Sequence, residues 1–303
     1  LGQAVEDLSV NGGETYFIAN PGAVADPAQV KQLEDDLAAA KKAAEANPNS
    51  KDLAEKAAQA ERRLEVTKAV ALFPPPKREY HAITFTINKR LSNRFSILAN
   101  YTYSRLTGNF PGPFNPYNNQ LDPNITTQYD IIDLLVNRDG PLNNDRPHNL
   151  KATGFYMQPL FGGKGTLTAS LTFTALSGRP IQVLGQHTVY GARETFILPS
   201  GSGGRTPMIT QMDAHIGYDH QLTDQVKATL YVDVINLFNQ QEVINVDDEY
   251  TFSFVDPIRY GKPEDLKKLR SPDGSVPVLN SNYGQPTAYQ APLYLRFGAR
   301  LYF

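Results

Sequence analysis

The sequence predicts an all-β, antiparallel membrane barrel, of which this chain supplies seven strands, with an α-helical hairpin inserted in a loop outside the cell. Three observations lead there. Long runs place an apolar residue at every second position, the connections between those runs alternate between short and long, and one segment near the start has helical spacing instead.

Composition narrows the alternatives. The chain has 303 residues, 41% of them hydrophobic and 20% charged, with a formal net charge of −2. No run of about 18 apolar residues occurs, so a helical membrane span is excluded. The mean hydropathy of −0.39 agrees. It does not argue against a barrel, because every second residue of a membrane strand faces away from lipid. The near-zero charge gives no reason to expect a nucleic-acid partner. The absence of Cys removes disulfide frameworks, thiolate metal sites and thiol nucleophiles. The 22 Gly and 22 Pro indicate many turns.

Residues 1–25 are irregular, with turn signals at Asn11-Gly12-Gly13 and Pro21-Gly22, and are expected to form part of an extracellular loop. Asp26-Pro27 then reads as a helix start, with Asp as N-cap and Pro in the first turn. Val30, Leu33, Leu37, Ala40 and Ala44 follow at helical spacing. Asn47-Pro48-Asn49-Ser50 interrupts the pattern, and Leu53, Ala57, Ala60 and Leu64 form a second stripe. Two narrow adjacent stripes fit an antiparallel hairpin that packs mainly on itself, a partner-binding coiled coil being the alternative. The hairpin insert is assigned to residues 26–73, and Pro74-Pro75-Pro76 opens the strand region, 74–303.

From there the period is two. Ile83, Phe85 and Ile87 alternate with Thr84, Thr86 and Asn88, and Phe95 to Tyr103 repeats the pattern with Leu98 as an exception. His148 to Gln158 is a weaker run whose faces the sequence does not assign. Residues 166–175 put Leu167, Ala169, Leu171, Phe173 and Ala175 on one face and Thr or Ser on the other. Met208 to Leu222 and Val226 to Val234 follow. The last run is the cleanest: Ala291, Leu293, Leu295, Phe297, Ala299, Leu301 and Phe303 are apolar, with Arg296 and Arg300 between them.

A soluble sandwich gives the same alternation, so the connections decide. Leu91–Arg94, Leu160–Gly165 and Leu222–Gln225 are short; those at 108–146, 182–205 and 245–287 are long. Short periplasmic turns and long extracellular loops are the pattern of an outer-membrane barrel. The faces rich in Thr, Ser, Asn, Asp and Arg suit a wet lumen. Seven strands are an odd number and fewer than the smallest barrel, and an open edge would leave backbone groups unpaired in lipid. Further strands are therefore expected N-terminal to Leu1, which is not a Met.

Four stretches carry a family resemblance. "YHAITFTINKRLSNRFSILANYTYSR" (80–105), "NDRPHNLKATGFY" (144–156), "LYVDVINLFNQQ" (230–241) and the terminal "LYLRFGARLYF" resemble TonB-dependent outer-membrane receptors, most closely the Oar-like branch with a carboxypeptidase-regulatory-like domain. "VNGGETYFIANPG" (10–22) also fits, whereas the helical insert is outside the usual pattern. The resemblance implies a 22-stranded barrel around a plug, of which these would be strands 16 to 22. It further implies a transporter or receptor in the bacterial outer membrane, engaging the TonB complex through an N-terminal part not present here. Phe297, Leu301 and Phe303 would form the signal read by the barrel-assembly machinery. The ligand would be bulky, and a surface lipoprotein or a peptide or protein is a candidate partner beside the outer-membrane lipids. An adhesion or structural module without transport is the alternative.

Candidate sites are few. Of His81, His148, His187, His215 and His220, no two have the helical spacing of a zinc motif. His215 lies two residues from Asp213, but no nucleophile elbow accompanies it, so polar wall residues are the reading and no enzymatic activity or cofactor is expected. Gly162-Gly163-Lys164-Gly165-Thr166 lacks the Ser or Thr that a phosphate loop needs directly after Lys and reads as a turn. Ser200-Gly201-Ser202-Gly203-Gly204 reads as a flexible loop tip. Asp247-Asp248-Glu249 near Asp256 offers hard oxygens for calcium, without the ligand spacing of an EF loop. Asn124-Ile125-Thr126 matches a glycosylation sequon, of little meaning in a bacterial protein. A tight turn at Leu222–Gln225 would set Asp213 beside Asp233, the pair needing a cation. Asp213, Asp233, Arg296 and Arg300 are then expected to form a lumen-lining ladder, with His215 beside it, that docks a plug.

Overall fold

The computed structural model describes residues 26–70, 73–118 and 127–303. The segment 1–25 and the sequon at 124–126 lie outside the described residues. Two helices come first: α1 (Pro27–Ala46) and α2 (Lys51–Val70). The Asp26 side chain accepts the Ala28 N–H at 2.9 Å, satisfying one of the free donors of the first turn. The helices pack on each other, burying Ala57 and Leu64. Lys41–Glu61 (2.7 Å) and Lys68–Glu34 (2.8 Å) bridge them at the exposed rim.

Strands β1 (Arg78–Ser92) and β2 (Phe95–Gly108) form a hairpin whose two turn residues, Asn93 and Arg94, both have positive φ (52° and 69°). That left-handed pair matches the twist of the flanking strands. The chain continues through β3 (Gly140–Pro141), β4 (His148–Leu160), β5 (Gly165–Leu176), β6 (Leu184–His187), β7 (Gly191–Phe196), β8 (Ile209–Gln221), β9 (Lys227–Ile235), β10 (Val243–Val246), β11 (Glu249–Phe254), β12 (Pro286–Tyr289) and β13 (Tyr294–Tyr302). The seven long strands make one antiparallel sheet in the order β1-β2-β4-β5-β8-β9-β13, with β3 paired to the end of β2. The sheet is open, and β1 and β13 are its edges. Every residue of β1 is exposed.

The register carries each face across the sheet without a break. Phe85 lies opposite Tyr101, and Tyr101 opposite Leu150. Leu150 faces Ala175, and farther along Leu171 faces Ala214, Ala214 faces Val234 and Val234 faces Leu295. Directly opposite residues share a face, so one side of the sheet is apolar from edge to edge. Large hydrophobic side chains stand exposed on it, among them Phe85 (64%), Leu230 (60%) and Phe297 (74%). A water-facing sheet would hide them; a lipid-facing one need not. The weak run at 148–158 also resolves here: Leu150, Ala152, Gly154 and Tyr156 take the apolar face, where the two glycine-sized and alanine-sized positions blunted its signal.

One sequence expectation is corrected here. The last strand begins at Tyr294, not at Ala291 where the alternating run starts, because Pro292 has no N–H for the ladder and the chain is tied instead through Leu293 N–H to Asn239 Oδ1 at 2.9 Å. The long connections are not structureless. They hold six short strands and two short 3-10 helices, Ile132–Leu135 and Pro263–Lys268, folded together at one end of the sheet. β6 pairs with β7 antiparallel and with β11 parallel, although β6 and β11 belong to different connections.

Candidate functional site

The polar face carries the predicted wall residues on β8, β9 and β13. His215 is directly opposite Asp233, which is directly opposite Arg296. His215 Nδ1 lies 2.6 Å from Asp233 Oδ1, and Arg296 donates through Nε (2.7 Å) and Nη2 (2.6 Å) to Asp233 Oδ2. Asp233 is buried while Arg296 remains largely open. The structure therefore unites three of the five expected residues and separates two. Asp213 is not beside Asp233. The turn after Gln221 is five residues long, closed by Leu222 N–H to the Val226 carbonyl at 2.9 Å, and this places position 215 across from 233. Asp213 instead accepts the Asn236 N–H at 2.9 Å and Gln211 Nε2 at 2.8 Å. Arg300 also leaves the ladder: its guanidinium stands 5.3 Å from the Tyr231 ring centroid. Phe297, Leu301 and Phe303 are exposed on the apolar side, with Phe297 opposite Val232 and Leu301 opposite Ala228.

The folded long connections were not foreseen. Val183, Ile197 and Leu198 of the second connection pack with Val255 and Leu269 of the third, and Tyr117 of the first packs with Leu184 and Phe196. Asn137 joins all three. Its Nδ2 donates to the carbonyls of Phe196 (3.1 Å), Ile197 (3.1 Å) and Ile258 (2.9 Å), and its Oδ1 accepts the Tyr260 N–H at 3.2 Å. Its φ of 64° is a conformation that Asn tolerates better than most residues.

Buried charges are paired within this unit. Arg138 and Glu194, each 3% exposed, meet at 2.8 Å, and Arg138 also lies over the Phe196 ring. Arg179 holds Asp248 at 2.8 Å, and Arg193 holds Asp247 and Glu249 at 3.1 Å each. The three carboxylates read as calcium ligands are thus spent on arginines and on Asn280, which reaches Asp247 at 2.9 Å. Burial still raises the Asp248 carboxyl above the usual range against the pull of Arg179. Ser200-Gly204 is not a flexible tip either. Ser200 Oγ donates to the Pro141 carbonyl, Gly201 N–H to Gln182 Oε1 and Gly203 N–H to the Ile181 carbonyl. Gly162-Gly163 is a turn, with φ of 63° and 97°.

The motifs that carried the resemblance anchor this unit to the sheet. In the 144–156 stretch, Asp145 accepts the Leu106 N–H at 2.6 Å and binds Arg205, while Arg146 donates to the Ser177 carbonyl. In the 230–241 stretch, Asn236 donates to the carbonyls of Gln240 (2.7 Å) and Ala291 (2.8 Å). Each ties strand ends to the loops above them.

Comparison with known proteins agrees with this architecture. Residues 30–195 match the model of the outer membrane beta barrel domain family. The chain belongs to that family. It is 35% identical over 318 aligned residues to the TonB-dependent transporter Oar of Myxococcus xanthus, an alignment that covers all of this chain and 26% of that protein. This barrel-domain chain thus spans about a quarter of the length of the curated relative it matches, and its place is the outer membrane. No solved structure matches. The family match runs through the helical hairpin, and among the described residues no three His, Cys, Asp or Glu are grouped to hold a metal.

Proposed function

We propose that the chain is the C-terminal part of the barrel of a TonB-dependent transporter that binds a bulky ligand at the cell surface and passes it across the outer membrane. The single observation that carries the reading is the folding of all three long connections into one unit at the end of the sheet opposite the short turns, tied by Asn137. A rigid shared surface above strands is suited to recognition. In this reading the apolar face meets lipid and the polar face lines the lumen. His215, Asp233 and Arg296 form a linked polar strip on that wall, suited to docking a plug. The barrel would count 22 strands, the hairpin 26–73 would stand outside the cell, and Phe297, Leu301 and Phe303 would serve assembly. The TonB complex would act on a more N-terminal part.

The test uses the full-length protein in its own cells. Ligand-dependent growth or uptake should fall when the three connections are replaced by short turns and when TonB is depleted. Unchanged uptake in both cases, with the barrel still at the surface, would leave an adhesion or structural module as the better reading.

A further inference from the structure

We infer that the apolar face carries a binding site for the phosphorylated headgroup of an outer-leaflet lipid, built on the first hairpin by Arg105 and His81. The inference rests on the proposed orientation, with the apolar face toward lipid and the long connections outside. His81 and Arg105 are directly opposite each other on β1 and β2. They share the face of the next pair down, Ile83 and Tyr103, which are 61% and 50% exposed. They therefore stand at the upper boundary of the apolar band, on the side of the long connections.

Three features give this pair a ligand rather than water alone. Both side chains are exposed, and among the described residues neither makes a hydrogen bond or ion pair. The only carboxylate on β1, β2 or β4 is Glu79, which Lys77 engages at 3.7 Å, so among the described residues the Arg105 guanidinium has no carboxylate partner. Beneath them Tyr103 packs its ring 5.4 Å from His148, whose Nδ1 lies 2.8 Å from Tyr101 Oη, an aromatic cluster of the kind that sits at headgroup depth. An Arg fork at that depth matches two phosphate oxygens, the imidazole offers a third donor, and Ile83 and Phe85 below continue as a track for an acyl chain. The basic residue at the other boundary of the same face, Lys89, is different: it is turned onto the Ser92 and Phe95 carbonyls of its own turn.

The experiment uses the full-length protein in detergent, with lipid A as the probe, read by native mass spectrometry. Wild type should retain lipid A, should retain dephosphorylated lipid A less, and should not lose the lipid to added inorganic phosphate. R105Q with H81Q should weaken retention roughly tenfold, whereas K89Q should match wild type. Equal retention by the double variant, or indifference to the lipid phosphates, would overturn the site. A fluorophore on F85C separates this from failure of the orientation. Quenching by lipid-chain quenchers in vesicles, together with phosphate indifference, sinks the headgroup site alone; no quenching sinks both.

Discussion

The Tyr231 ring lies against Gly298 on the neighbouring strand, filling the volume that a side chain at 298 would need. A Cβ added at Gly298 would overlap the ring, so glycine here is a packing requirement. The same ring carries the Arg300 guanidinium and stands 5.8 Å from the His215 ring, so its position sets the edge of the charged strip.

Gly298→Ala is therefore expected to destabilise the folded sheet by about 1–3 kcal/mol, the range for overpacking. The shift of the folded band with temperature on a gel measures it. Adding Tyr231→Ala should recover part of the loss, because the clash is with that ring. Additive losses in the double variant would refute the packing account.

Asn137→Ala should loosen the loop unit while sparing the sheet. It deletes three donated bonds that join separate connections, and leaving the carbonyls unpaired costs on the order of 1–3 kcal/mol. Amide exchange should rise at Ile258 and Tyr260 and remain slow in β5 and β8. Uniform change across both regions would mean that Asn137 is not the joint.

Arg138→Met strands the Glu194 carboxylate in a dry site. Removing one partner of a buried pair costs about 3–5 kcal/mol, whereas replacing both by apolar residues of similar size often costs little. Protease sensitivity of the loops should follow R138M far above R138M/E194L above wild type. Equal sensitivity of the single and double variants would contradict a paired site. Tyr117, whose phenol burial raises to about 12, should stay un-ionised up to high pH in wild type and titrate earlier once the packing opens.

The turn between β6 and β7 should weaken in acid. His187 Nδ1 accepts the Val189 and Tyr190 N–H groups at 3.2 and 3.3 Å, and burial lowers the proton affinity of the ring below its ordinary value. The unfolded turn, with a pKa near 6.5, takes up a proton first. Stability from the neutral ring is thus complete above about pH 6.5 and declines as the pH drops toward the folded value. Opening at Val189 and Tyr190, corrected for intrinsic exchange, should increase between pH 7.5 and 5.5. A flat profile would show that the ring is not the acceptor.

Much of this molecule is written in its periodicity. Seven strands, the faces of six of them, the short turns and the two helices follow from alternation or helical spacing, because those patterns are local consequences of how a strand or helix presents side chains. Helical spacing told of α1 and α2 because their stripes pack on each other and on little else. Register is a different matter. Whether Asp213 or His215 met Asp233 depended on two residues of turn length, and shifting a pair by two keeps every side chain on its face, so hydrophobic pattern is blind to it. Only the closed turn from Leu222 to Val226 decided that. The loop unit is the larger omission. Asn137, Arg138 and Asp248 lie in irregular stretches and Glu194 in a strand too short to show a period, and each acquires a role from partners 50 or more residues away. Sequence alone thus determined an antiparallel sheet with one apolar and one polar side, because burial repeats along the chain. Which charges meet, and that three connections make one surface, belonged to the tertiary structure, because those contacts join segments between which the chain holds no repeating signal.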